Sequence, residues 1–147
     1  MNTTPPIALP EGVRLIDLPH FDQAARGCLT VAEAPENLPF IPQRLFWISQ
    51  VSNGEARGDH AHRQCAQFIL CIHGSCQVRL SDGSADCQIQ LGSASQGLFV
   101  PPLTWVSCHP DNADSCLLVL ASRRYEKEDY IFDLQEMRFL RSTASGS

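Results

Sequence analysis

Lysine is almost missing from this chain: Lys127 is the one lysine in 147 residues, against ten arginines. It sits in the solvated run Glu126-Lys127-Glu128-Asp129, so Schiff-base chemistry has no suitable amine. No apolar run approaches the ~20 residues that span a bilayer, which excludes a membrane-spanning segment. Met1-Asn2-Thr3-Thr4-Pro5-Pro6 offers neither a basic n-region nor a signal-peptide core, and a cytoplasmic location is expected. None of the seven cysteines pairs as C-x-x-C, and most lie inside apolar runs. That argues for small buried thiols rather than a disulfide framework or a zinc site. The net charge of −5 provides no global field for nucleic acid. There is no internal repeat or linker, and low complexity is confined to a Ser-rich tail from Ser142, expected to fray.

What is present is a chain of one-domain length, residues 1–147, with enough apolar content for one substantial core. The first ~12 residues and the tail are expected to be peripheral. Short strand signals recur between turns. Val13 to Leu18 alternates weakly, and Arg26-Gly27 turns into a strand through Ala32. Gln43 to Val51 is rich in aromatic and β-branched residues. Cys76, Val78 and Leu80 alternate with polar residues, as do Cys87, Ile89 and Leu91, with Ser81-Asp82-Gly83 as a hairpin turn between them. Segments around Gly97–Val100, Leu103–Cys108 and Ser115–Ala121 complete the set, and helix is expected only in one or two short turns between Tyr125 and Leu140. Many short strands separated by turn chemistry predict an all-β sandwich or barrel.

The chemistry concentrates in Arg57-Gly58-Asp59-His60-Ala61-His62, followed by Gln67 and an apolar run closed by Gly74. Side chains two apart on a strand leave the same face, so His60 and His62 are directed at one point. Gln67 brings an amide toward it. Asp59 is expected to point away, at a rim.

These residues resemble the first cupin motif: His60-x-His62, four residues, Gln67, six residues and Gly74, with glutamine in place of the usual glutamate. Gly97 to Val106 resembles the second motif in outline, with Val106 where a histidine is usual. The resemblance implies a cupin-type jelly-roll barrel of antiparallel strands. Two imidazoles and a neutral amide make a weak site for a hard divalent cation, so no metal and no cofactor are expected. An ordered set spanning the chain is similar to the WxcM-like sugar 3,4-ketoisomerases: Arg26-Gly27-x-Leu29, Leu38-Pro39-Phe40, Arg44, Arg57-Gly58-x-His60-Ala61-His62, Pro101-Pro102-x-x-Trp105, Leu120-Ala121-Ser122 and Asp129-Tyr130-Ile131. That similarity implies a metal-free isomerase acting on a dTDP-linked 4-keto-6-deoxyhexose, working as a homodimer whose N-terminal strands reach across to the partner. Phe46, where some members carry tyrosine, and Val106-Ser107 after Trp105 depart from the pattern.

Moving a carbonyl from C4 to C3 takes a proton from C3, passes through an enediol and returns a proton to C4. Histidine titrates near neutrality and suits both transfers. His60 and His62 are the catalytic candidates, either able to be the base, with His62 preferred. Arg57 is a candidate to stabilise the enediolate oxygen and, with Arg44, to bind the diphosphate. Gln67 is assigned to a sugar hydroxyl or to orienting a histidine, and Trp105 to an aromatic wall. A non-catalytic cupin that holds a sugar nucleotide and a metal-dependent cupin enzyme are the competing readings.

Overall fold

The strand signals resolve into twelve strands in a computed structural model that describes residues 8–92 and 94–145. The expected N-terminal arm lies partly outside the described residues. β1 (Arg14–Asp17) is followed by a hairpin of β2 (His20–Asp22) and β3 (Cys28–Thr30), then by β4 (Arg44–Ile48) and β5 (Arg57–His62). β6 (Gln67–His73), β7 (Cys76–Ser81), β8 (Asp86–Leu91) and β9 (Gln96–Val100) come next. β10 (Trp105–Pro110), β11 (Cys116–Ala121) and β12 (Tyr130–Ile131) precede a helix, α1 (Leu134–Ser145). One five-stranded sheet has the order β1-β9-β6-β11-β4, and a second has β12-β5-β10-β7-β8. All pairings are antiparallel. From β4 to β11 the chain changes sheet at every step except β7–β8, and that crossing pattern is the cupin-type jelly roll.

The β7–β8 hairpin turns where the sequence places it. Asp82 Oδ1 accepts the backbone N–H of Ser84 and of Ala85, at 2.9 and 2.7 Å, which closes the turn from within. Inward residues of both sheets, among them Ile69, Val78, Leu80, Ile89, Leu98, Val106, Leu117 and Val119, fill the space between them. Cys71, Cys76 and Cys108 are buried in this same core, whereas Cys28 is exposed. On the outer face of the first sheet, Phe68, Leu70 and Leu120 pack under Leu18 and Leu38. The outer face of the second is covered by Ile131 and Met137 over Ala61.

Two expectations for the C-terminal region need correction. The helix runs for twelve residues rather than one or two turns, and it continues through Ser145 instead of fraying from Ser142. Met137, fully buried, anchors it against β5 and β12, and such tertiary burial outweighs the weak helical signal of a Ser/Thr-containing tail.

Gly97 in β9 is a packing requirement: a Cβ built there would collide with the ring of Phe68. Gly97→Ala is expected to lower stability by about 1–3 kcal/mol, the usual cost of overpacking. A denaturant midpoint unchanged from the parent protein would contradict it.

Candidate active site

Arg57 and His60 are three residues apart, and on a regular strand their side chains would leave opposite faces. The structure brings them to the same side with a bulge. In the β5–β10 pairing, His60 faces Val106 and Gly58 faces Ser107, so Asp59 is an extra residue on β5. Gly58 and Asp59 take positive φ, 105° and 58°. A Cβ on Gly58 would lie 2.8 Å from the carbonyl oxygen of Val106, so glycine is required where the bulge presses on β10. The inserted residue resets the alternation. Arg57, Gly58 and His60 then line one cavity of about 190 Å3 with Phe46, Ile48, Gln67, Ile69, Val106, Cys108, Val119 and Tyr130.

His60 and His62 share a face, as their spacing predicts, with ring centroids 4.9 Å apart and nearly perpendicular planes. His62 is 4% exposed. Its Nδ1 lies 3.0 Å from Asp129 Oδ2. Asp129, itself 8% exposed, also accepts the backbone N–H of Gln64 at 2.7 Å and of Cys65 at 3.3 Å. A carboxylate held by two amides can only accept from the ring, so Nδ1 of His62 carries the proton and Nε2 keeps its lone pair. That Nε2 is buried without a hydrogen-bond partner, and so is Nδ1 of His60. Both imidazoles are held neutral. Burial pushes His60 down from 6.5 to about 4, with the neighbouring His62 and Arg44 acting in the same direction. Burial also lowers His62, against the opposing pull of Asp129.

Tyr130, which no local spacing marks as functional, lines the cavity. It pairs with His62 across the β5–β12 ladder. Its ring lies 4.4 Å from that of His62 and 4.9 Å from that of His60. Asp129 ends an acidic run that reads as solvated from its sequence, yet it is buried. The available signal was its place directly before the apolar pair Tyr130-Ile131, which turns the chain inward.

The remaining expected residues separate into two groups. Gln67 is buried and lines the cavity. Arg44 lies over the rings of Phe46 and Tyr125, at 5.4 and 5.6 Å, with a buried, unpartnered Nε, and its charge is felt by both histidines. Arg57 is exposed and lines both the cavity and an adjoining cleft of about 480 Å3 bounded by Trp47, Gln50 and Glu55. Trp105 is not brought to this cavity. Val106, its neighbour on β10, points inward, so Trp105 lies on the outer face and packs beside Leu134 and Leu140 of α1.

Residues 11–143 match the family described as FdtA, WxcM-like, C-terminal. The chain belongs to this family. Among its relatives is a TDP-4-oxo-6-deoxy-alpha-D-glucose-3,4-oxoisomerase from Aneurinibacillus thermoaerophilus, 39% identical over 107 residues, or 73% of this chain and 77% of that one. The structure is similar to QdtA, a sugar 3,4-ketoisomerase from Thermoanaerobacterium thermosaccharolyticum crystallised with TDP, with a TM-score of 0.86 and 29% identity over 92% of this chain and 98% of that one. It is also similar to a 3,4-ketoisomerase from Helicobacter canadensis, with a TM-score of 0.83 and 29% identity over 89% and 98% of the two chains.

In this WxcM-like chain the buried neutral state of His60 links folding to pH. Between pH 6.5 and about 4 the unfolded chain binds a proton at His60 that the folded chain does not. Stability contributed by this site is therefore fully present above pH 6.5 and is lost as the pH falls through that window. Urea midpoints between pH 7 and pH 4 should drop less steeply in His60→Gln than in the parent, and equal slopes would refute the assignment.

Proposed function

We propose that this chain is a sugar-nucleotide 3,4-ketoisomerase that moves a carbonyl from C4 to C3 of a dTDP-linked 4-keto-6-deoxyhexose. The observation that carries the reading is the His62 imidazole, fixed by Asp129 with an unpartnered Nε2, in ring contact with the cavity residues His60 and Tyr130. The named activity of its relatives supports the substrate class, and a variant of QdtA has been crystallised with TDP-4-keto-6-deoxyglucose.

His62 takes the proton from C3 through Nε2, and the imidazolium so formed, which can exchange with solvent, delivers a proton to C4 of the enediol. Asp129 orients the ring and stabilises the imidazolium as it forms, a support that His60 lacks. His60 carries the proton that moves between the two oxygens of the enediol. Arg44, whose charge already reaches both rings, stabilises the enediolate, and Gln67 binds a ring hydroxyl. A cavity of about 190 Å3 suits the sugar but not the whole nucleotide, so the nucleotide lies in the adjoining cleft with the diphosphate on Arg57 between them. The usual cupin metal does not fit these residues. Val106 presents an alkyl group opposite His60, and Gln67 is neutral, so two imidazoles and an amide face the cavity with no anionic donor among them. The reaction is therefore assigned to the imidazoles without a metal.

The protein is proposed to act in the cytoplasm, in keeping with seven unpaired thiols. No helix among the described residues is long and apolar enough to cross a membrane. It is also proposed to act as a homodimer. β4 ends its sheet with Leu45 and Trp47 facing solvent, Trp47 at 65% exposure, an apolar edge that a second copy can cover. Trp47→Glu should shift the sedimentation coefficient from dimer to monomer, and a parent protein that sediments as a monomer would remove the proposal.

The activity test is incubation with dTDP-4-keto-6-deoxyglucose in heavy water, following the ring protons by NMR. Deuterium should appear at C4 of the 3-keto product as it forms, and at C3 of substrate regenerated by the reverse step. His62→Asn should slow this by about 10²–10⁴-fold, the range of a general base. Asp129→Asn should slow it by at least about 10²-fold, because an amide facing Nδ1 reverses the tautomer. The rate should hold from pH 8 to below 6.5, since both rings stay neutral there. Binding of the sugar nucleotide with no exchange in a folded protein would point instead to a non-catalytic binding module.

A further inference from the structure

Behind the His62 imidazole, on the side away from Nε2, lies a second constellation. Nδ1 of His62, Sγ of Cys65 and a carboxylate oxygen of Asp129 all fall within 4.8 Å of one another. All three residues are buried and come from separate segments: the end of β5, the turn after it, and the residue before β12. Cys65 has little else to engage it. Its thiol lies 3.3 Å from the carbonyl of its neighbour Ala66 and 3.9 Å from Ser122 Oγ. Arg63 and Gln64, exposed in the same turn, put the cluster just beneath the surface.

We infer that His62, Cys65 and Asp129 form an inhibitory zinc site that shuts off the proposed isomerase by occupying the back of its catalytic base. This rests on His62 being that base, though the metal site itself does not. A thiolate, an imidazole and a carboxylate are a zinc donor set, whereas magnesium and calcium prefer oxygen. Zinc bonds of about 2.0–2.3 Å place tetrahedral ligand atoms roughly 3.3–3.7 Å apart, so the widest of the three separations needs to close by no more than about 1 Å. A water completes the fourth position. On binding, the Cys65 thiol gives its proton to solvent. Zinc displaces the proton from Nδ1 and takes the lone pair left there, and the imidazole regains its single proton on Nε2, so the ring stays neutral in the opposite tautomer. The atom that must accept the C3 proton is then already protonated, and Asp129 is drawn from the ring to the metal. The site differs from a cupin centre, which would lie in the cavity in front of the two rings.

The test uses untagged protein carrying Cys28→Ser to remove the exposed thiol. Cobalt(II) serves as the spectroscopic stand-in for zinc. A near-ultraviolet thiolate-to-cobalt band should saturate at one equivalent, be bleached by zinc, and vanish in Cys65→Ala. In deuterium exchange with the sugar nucleotide, zinc should inhibit the parent. Cys65→Ala retains the backbone N–H to Asp129, and its sensitivity to zinc, measured against its own metal-free rate, should fall by at least about tenfold. Cys65→Ser, closer in size, serves if the alanine variant unfolds. Cobalt bound with no thiolate band, or a band unaffected by replacing Cys65, would overturn the inference. If the protein proves to have no isomerase activity, the cobalt spectra decide the metal site alone.

Discussion

Every functional feature of this molecule returns to the hydrogen bond from His62 Nδ1 to the Asp129 carboxylate. At 3.0 Å and almost out of reach of water, it does what a solvated pair could not: it selects one tautomer and one ring orientation. Two backbone amides from the turn after β5 secure the carboxylate, so the orientation of the ring depends on main-chain geometry rather than on another mobile side chain. The opposite nitrogen is left buried and unpartnered. An orphaned acceptor in a folded protein costs stability, and such a cost is usually retained where a ligand supplies the missing partner.

The second constraint is the bulge at Gly58-Asp59. One inserted residue moves Arg57 to the histidine side of the strand and joins the sugar-sized cavity to the larger cleft outside it. The same pleat arithmetic, with no bulge between Trp105 and Val106, sends Trp105 outward to the C-terminal helix. A local backbone irregularity and a regular alternation thus decide between them which large side chains reach the cavity.

The pocket is also defined by what it lacks. Val106 and Cys108 line the wall facing His60 with apolar or weakly polar atoms, where a metal-binding cupin needs a third imidazole. Neutral rings that feel the charge of a half-buried arginine form an environment that favours a developing oxyanion over a resident cation. The donors that could hold a soft metal, His62 Nδ1, Cys65 Sγ and Asp129, lie on the Asp129 side of the His62 ring rather than in the cavity.

Strand order of appearance, the inward alternation of β7 and β8, the Asp-Gly hairpin and the shared face of His60 and His62 all follow from local periodicity and turn chemistry, and these were legible in the chain itself. So was the family, because its residues recur in order over nearly the full length. Asp129, Tyr130, the outward position of Trp105 and the length of the final helix were not. Asp129 is separated from His62 by more than sixty residues and sits at the end of an acidic run that reads as solvent-facing. Only the pairing of β12 with β5 turns it inward. The buried Met137 stabilises the helix through a contact that no window of sequence contains. Periodicity reports which face a residue takes within its own strand. Which distant residue waits on that face is decided by how the two sheets close over each other.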